Sequence, residues 1–275
     1  MSTPRIWTAL IAGLLLAAAA CNNHSATQVA EDAQAGIIFD KVTDLTYPFD
    51  EQTIYWPTAE GFEFHKGPEG VTDKGYFYNA NTFQAAEHGG THLDAPYHFY
   101  EGGHKVGEIP PEQLTGPALV VDVSEQVSSD RDYLISLQDL QDWESSNGSI
   151  EEGDIVLLRT GFGRYWPDAE QYLGTAEKGQ QAVASLSFPG LSEEAARWLA
   201  EERRIAGVGI DTASIDFGRS QDFTAHVALA SRNVLIFENV ANLDQLQPRG
   251  SYVVALPMKI QEGSGAPLRI IALTP

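Results

Sequence analysis

Six short, largely apolar runs govern what this chain can fold into: Ala118 to Val123, Ile155 to Leu158, Ile205 to Ile210, Val234 to Phe237, Tyr252 to Leu256 and Leu268 to Leu273. Each has the length of a strand and is bounded by turn residues, such as the acidic Glu151–Asp154 before the second. Their apolar, β-branched residues run on rather than alternate, which is the pattern of strands covered on both faces. Helical patterns lie between them. Ser192 is placed to cap a helix with Glu193 and Glu194 in its first turn and Ala196, Leu199 and Ala200 repeating behind. Ser136 to Trp143 reads as a shorter helix, and Thr224 to Ala230 as a third, closed by the Arg232-Asn233 turn. Strands alternating with a few helices predict an α/β domain with a mixed sheet.

Between His88 and His98 the chain reads His-Gly-Gly-Thr-His-Leu-Asp-Ala-Pro-Tyr-His, which places three of its seven histidines and an aspartate within eleven residues. His92 and Asp94 are two apart, so on an extended segment they point to one side and Leu93 to the other. His88 and His92 are four apart, as on a zinc-binding helix. Gly89, Gly90 and Thr91 between them are poor helix formers, however, and Pro96 would end a helix soon after. The reading is a glycine-kinked loop running into a short strand, folded tightly enough for His88 to rejoin its partners. Two imidazoles and a carboxylate suit zinc, manganese or iron and leave positions open for water. His24, His65 and His104 are isolated in polar or glycine-rich surroundings and are expected to be solvated or packed.

A second group is less compact. His226 lies in the helical pattern Thr224–Ala230, and Glu238 ends the apolar run Val234–Phe237. A carboxylate ending a buried strand is costly unless it is paired or bound to a cation. A helix–turn–strand unit can bring His226 and Glu238 together at one edge of the sheet; a capped helix and a salt bridge are the plainer roles. Asp211 and Asp216 follow the run Ile205–Ile210, where turn-forming and hydrogen-bonding roles are expected. Trp56, Phe62, Phe64 and Phe99 are candidates for an aromatic pocket, although aromatic residues more often fill cores.

Residues 1–20 read as a lipoprotein-type export signal: Arg5, then the uncharged and mostly apolar Ile6 to Ala20, then Cys21, the single cysteine of the chain. Fifteen such residues are short for a membrane span. Cys21 would become the lipidated first residue of an exported, periplasmic protein, and Asn22 after it favours the outer membrane. Residues 21–36, rich in Ala, Asn, Ser, Thr and Gln, read as a flexible tether, leaving 37–275 as one domain. A net charge of −21 argues against nucleic acid as a partner.

The stretch His88 to Phe99 resembles the defining motif of the cyclase-like metal-dependent hydrolases, which include bacterial kynurenine formamidases and isatin hydrolases. Supporting matches follow in order: Asp44-Leu-Thr46, Trp56-Pro57, Leu158-Arg-Thr-Gly161, Phe188-Pro-Gly-Leu191, Gly209 to Asp216 and Glu238 to Asp244, together spanning roughly residues 40 to 273. The resemblance implies a swivelling β/β/α domain that forms homodimers or homotetramers. It also implies one ion held by His88, His92, Asp94 and Glu238 and a second by Asp94, His226 and Glu238. Single-ion members use His88, His92 and Asp94, with zinc or manganese as the divalent metal. His98 takes the place of the proton donor and acceptor, and Trp56 that of a substrate-contacting aromatic. Trp56-Pro57-Thr-Ala-Glu replaces the common Pro-Gly-Asp turn, a departure that bears on specificity and leaves the metal residues untouched.

The activity so implied is metal-assisted hydrolysis of a C–N amide bond in an aromatic small molecule, either a cyclic amide of the isatin type or an aryl-formamide. A bound ion makes hydroxide available near neutral pH and polarises the carbonyl, while His98 moves the proton. The alternatives are an N-formylkynurenine formamidase specifically, a non-heme iron oxygenase with the same two-histidine, one-carboxylate set, or a non-catalytic periplasmic binding lipoprotein.

Overall fold

The computed structural model describes residues 39–275. The export signal, Cys21, the tether and the first two residues assigned to the domain lie outside that range. Within it the strands in chain order are β1 (Lys41–Asp44), β2 (Glu63–His65), β3 (Glu69–Val71), β4 (Phe77–Asn79), β5 (Thr82–Gln84), β6 (His92–Asp94), β7 (Thr115–Asp122), β8 (Leu134–Ile135), β9 (Ile155–Arg159), β10 (Gly190–Leu191), β11 (Gly207–Ile210), β12 (Leu235–Glu238), β13 (Ser251–Pro257) and β14 (Gly265–Thr274). The α-helices are α1 (Ser124–Ser129), α2 (Leu137–Asn147), α3 (Ala169–Leu173), α4 (Glu193–Arg197), which continues through a wider turn at Trp198–Arg203, and α5 (Thr224–Ala230).

Eight strands make the principal sheet, in the order β1-β14-β13-β7-β9-β11-β12-β6, and β6 pairs again with β14. Seven of them therefore close into a barrel-like ring, with β1 beside the far end of β14. The sheet is mixed: β7, β9, β11 and β12 run parallel to their neighbours in that set, whereas the pairings of β12 with β6, β6 with β14, β14 with β13 and β13 with β7 are antiparallel.

Both faces are covered at β7, β9, β11 and β12, which is why they read as continuous apolar runs. The strands β13 and β14, expected to be covered likewise, instead alternate, with Leu256 exposed and Tyr252, Val254 and Ile271 only half-buried. Leu119, Val121, Val156, Leu158 and Ile236 pack outward against Leu140 of α2, Ala196 of α4 and Leu229 of α5. Their neighbours Ala118, Val120, Ile155, Leu157, Leu235 and Phe237 point the other way and meet Leu93, Val253 and Ile270 inside the ring. Two of the expected helices begin where they were read: Ser192 caps its helix as expected, its Oγ accepting from Ala195 N at 3.3 Å, and Ser136 Oγ caps the other by accepting from Asp139 N at 3.2 Å.

The double hairpin formed by β2 with β5 and β3 with β4 departs from this scheme. Every residue of these four strands is exposed, including Phe64, Phe77 and Phe83. Phe62 stacks on Phe83 at 5.7 Å and meets Phe49 at a tilt, 5.9 Å between ring centres. Phe62 and Phe64 thus belong to this arm and not to an aromatic pocket around the histidines.

Candidate metal centre

The loop from His88 to Thr91 is fixed by close approach. A Cβ on Gly89 would fall 2.0 Å from the Tyr55 ring, and Gly90 adopts φ +57, a left-handed conformation that glycine takes at little cost. Thr91 Oγ1 donates to Asn239 O at 2.7 Å and accepts from Tyr47 N at 2.9 Å, which pins the loop to the end of β12. The chain then enters β6, where Leu93 faces the ring interior and His92 and Asp94 share the opposite side. His98 ends a single turn of 3₁₀ helix, Pro96–His98. From the other direction, β12 delivers Glu238 directly opposite His92 in the β6–β12 ladder, and α5 delivers His226.

Five side chains from two distant parts of the sequence therefore meet. His88 Nδ1 lies 2.6 Å and His92 Nε2 3.2 Å from Asp94 Oδ1; His226 Nε2 lies 3.2 Å from Asp94 Oδ2. Glu238 completes the group, with Oε2 3.4 Å from His92 Nε2 and Oε1 3.2 Å from His226 Nε2. They form two sets, His88–His92–Asp94 and Asp94–His226–Glu238, sharing Asp94, and within each set the donor atoms lie within 4.8 Å of one another. Trp56, Phe99 and His98 line the same cavity of about 320 Å³, together with Ile54, Phe223 and Asn239.

The outward nitrogens of the three imidazoles decide what the inward ones can be. His92 Nδ1 donates to Gly90 O at 2.9 Å, and His226 Nδ1 to Asp216 Oδ2 at 2.6 Å. Asp216 also accepts the backbone N–H groups of Ala225 and His226 at 3.1 Å, so one carboxylate caps α5 and orients its histidine. His88 Nε2 faces Ser264 Oγ at 2.9 Å. In neutral imidazoles so arranged, the inward nitrogens carry lone pairs, and they point at buried carboxylate oxygens. Lone pairs facing carboxylates repel, and an unpaired buried carboxylate costs several kcal/mol, so a positive species must bridge them. In the metal-free protein that species is the proton. Burial pulls His92 down, but Asp94 and Glu238 outweigh it and raise its pKa to about 9. His226 is likewise raised well above the ordinary imidazole value against the pull of burial, by Asp216, Asp94 and Glu238. For Asp94, burial is outweighed by His88 and His92, which hold the carboxyl well below its usual range, whereas burial and Asp94 itself push Glu238 up. Converging imidazole lone pairs and two carboxylates are also the donor set of a zinc or manganese site. The residues present fit a divalent cation.

His98 stands apart from this network. Its ring stacks on His88 at 3.8 Å and faces the cavity without a carboxylate partner. Desolvation by the surrounding protein lowers its pKa to about 4 against the opposing pull of Asp94, and the neighbouring imidazoles add to the fall, so it is neutral at pH 7. Phe99 packs against His226 at 4.3 Å and Phe223 at 5.3 Å, forming an apolar wall.

A sequence model of the Cyclase family matches residues 43–217. The chain belongs to that family. It is 31% identical to the isatin hydrolase of Roseibium aggregatum over 78% of this chain and 81% of that protein. The kynurenine formamidase of Bacillus cytotoxicus is 28% identical, covering 83% of this chain and 95% of the relative. The solved structure of isatin hydrolase A from Ralstonia solanacearum superposes with a TM-score of 0.77 at 33% identity, covering 92% of this chain and 96% of that one. The Cyclase-family chain described here is accordingly an enzyme of the hydrolase kind.

Sequence reasoning named the five clustered residues, His98, Trp56 and Phe99, and all eight lie around one cavity. Asp216 has the hydrogen-bonding role expected of it. Asp211 does too, accepting from Thr160 N at 2.7 Å and Gly161 N at 2.9 Å. Phe223, Ala213 and Asn239 line the cavity without having been marked. Ala213 and Asn239 lie inside the motif stretches Gly209 to Asp216 and Glu238 to Asp244, and Phe223 carried a hint as an aromatic residue one turn before His226.

Proposed function

We propose that this enzyme hydrolyses a C–N amide bond in a compact, uncharged aromatic molecule, a cyclic amide of the isatin type ahead of an aryl-formamide. The observation that carries this is the cavity: every charged residue lining it belongs to the histidine–carboxylate cluster, and the remaining wall is mostly apolar, with Ile54, Ala59, Ala86, Phe99, Ala213 and Phe223. About 320 Å³ is at the small end of ligand pockets. A kynurenine-type substrate would bring a charged amino-acid tail for which this wall offers no partner.

His88, His92, Asp94, His226 and Glu238 would hold one or two divalent ions, zinc or manganese. A bound ion supplies a water of lowered pKa and a Lewis-acid contact to the carbonyl. His98, neutral and stacked on His88 at the cavity wall, would accept a proton from water and return it to the departing nitrogen. Trp56 and Phe99 confine the ring so that its amide faces the cluster, and the apolar wall excludes bulk water. We further propose a swivelling β/β/α domain assembled as a homodimer or homotetramer, for which the exposed aromatic residues of the double hairpin are the natural contact, since two-stranded ribbons are marginal alone. Export and lipidation at Cys21 complete the reading and suit an enzyme meeting compounds from outside the cell.

The test is a panel of isatin-like cyclic amides, formanilides and formylated amino-acid anilines, offered to zinc-loaded and manganese-loaded enzyme. Turnover is expected for the uncharged cyclic amides first. Enzyme of full metal content that opens none of the panel would sink the proposal. Cys21→Ser should move the protein from the membrane to the soluble fraction, and an unchanged distribution would remove the lipid anchor.

A further inference from the structure

The three imidazoles of the cluster are not held alike. His92 leans on a backbone carbonyl and His226 on the buried Asp216. His88 has neither, and a quarter of its side chain is exposed. Its outward Nε2 meets only Ser264 Oγ, at 2.9 Å. A hydroxyl can donate or accept, so by itself it would leave the tautomer of His88 open.

Glu87 closes that choice. Its Oε2 accepts both Ser264 Oγ, at 2.8 Å, and Ser264 N, at 3.0 Å. The hydroxyl proton is spent on the carboxylate, and the oxygen can only accept from His88. Nε2 therefore carries the hydrogen, and Nδ1 presents its lone pair at 2.6 Å from Asp94. Freed from Glu87, the hydroxyl could donate to Nε2 instead, which would drive the imidazole proton onto Nδ1 and remove the ligand.

The backbone keeps this pair in place. Ser264 O accepts from Ala95 N at 2.9 Å, Gly263 O from Val106 N at 3.0 Å, and Gly265 stands opposite Asp94 in the β6–β14 ladder. A Cβ on Gly265 would come within 2.4 Å of His88 Cε1, so the imidazole rests directly on the backbone beside Ser264.

We propose that Glu87 and Ser264 act as one outer latch: through His88 they set how tightly the ion at His88, His92 and Asp94 is held. Both are positioning residues, and the inference rests on the metal-site reading given above. In metal-binding proteins such partners of a ligand histidine are worth about 10–100-fold in affinity.

The experiment measures zinc and manganese dissociation constants by chelator competition on the full chain, for wild type, Ser264→Ala, Ser264→Thr, Glu87→Gln and the Glu87→Gln/Ser264→Ala pair. Ser264→Ala should weaken binding about 10–100-fold, and Ser264→Thr, which keeps the hydroxyl, should restore most of it. The double variant should be no weaker than Ser264→Ala alone, because Glu87 reaches the tautomer of His88 only through that hydroxyl. Additive losses, or equal losses in Ala and Thr, would make the effect general loosening and overturn the latch. Unchanged constants with tight wild-type binding would overturn it as well while leaving the metal site standing. A wild type that binds neither ion would remove both. Should Ser264→Ala fail to fold, Glu87→Gln and Ser264→Thr decide the matter, since weaker binding in the first and near-normal binding in the second is the same expectation.

Discussion

Replacing Asp94 with asparagine is expected to empty both halves of the cluster and to lower turnover by at least about 1,000-fold. Asp94 is the residue the two sets share, with Oδ1 facing His88 and His92 and Oδ2 facing His226. Asparagine has the same shape but no charge, and its amide hydrogens would confront an imidazole on one side. Elemental analysis beside a turnover assay checks the prediction. Full ion content in Asp94→Asn would show that the carboxylate is not shared as proposed. Glu238→Gln, at a residue that faces His92 and His226 and also accepts Ile215 N at 2.7 Å, should lose less. The same geometry fixes how affinity varies with pH. His92 binds its proton more tightly in the metal-free fold, with a pKa of about 9, than an ordinary imidazole with its value of 6.5. It therefore stabilises the metal-free fold fully below about pH 6.5, and that contribution is lost as pH rises through about 9. A cation must displace this proton, so metal affinity should climb from pH 6 towards pH 9, with proton release measurable by calorimetry in buffers of different ionisation enthalpy.

His98→Ala should behave in the opposite way, cutting turnover by about 100- to 10,000-fold while metal content stays near that of wild type. The basis is the lack of a bond: His98 stacks on His88 at 3.8 Å and feels Asp94, but its ring makes no hydrogen bond or ion pair with a carboxylate, and its pKa is low rather than raised. A residue held neutral at the wall of the cavity is free to take a proton. Loss of the ion in His98→Ala would reassign it as a ligand. Because its pKa lies near 4, the acid limb of the rate profile should be governed by the proton–metal competition at His92 and His226 rather than by His98 itself.

What could be read from the sequence was what local chemistry dictates. Strands buried on two faces leave continuous apolar runs, so Ile155–Leu158 and Val234–Phe237 were visible, as were helices opened by Ser136 and Ser192. The cluster from His88 to Asp94 was legible because its ligands lie within seven residues, and Gly89 and Gly90 announced the kink. The double hairpin was not, because its aromatic residues are exposed and Phe62 and Phe64 imitated pocket residues. Spacing alone left the role of His226 and Glu238 undecided, since it is the pairing of β12 with β6 that sets Glu238 against His92. Nothing marked Ser264 as a neighbour of His88, 176 residues away. That contact exists because β14 returns to β6, a closure no local pattern encodes.

That closure has a consequence for how the protein can fail. Being hydrogen-bonded to β12 on one side and β14 on the other, β6 has no free edge along which to fray. A slip of one residue against either neighbour would turn His92 and Asp94 into the packed interior and Leu93 into the cavity, and the two flanking ladders would have to shift together. Chelation should then remove the ion without loosening the strand. Backbone amides of β6 would exchange their hydrogens only when the whole ring opens, so the apo-enzyme waits with its ligands already in register.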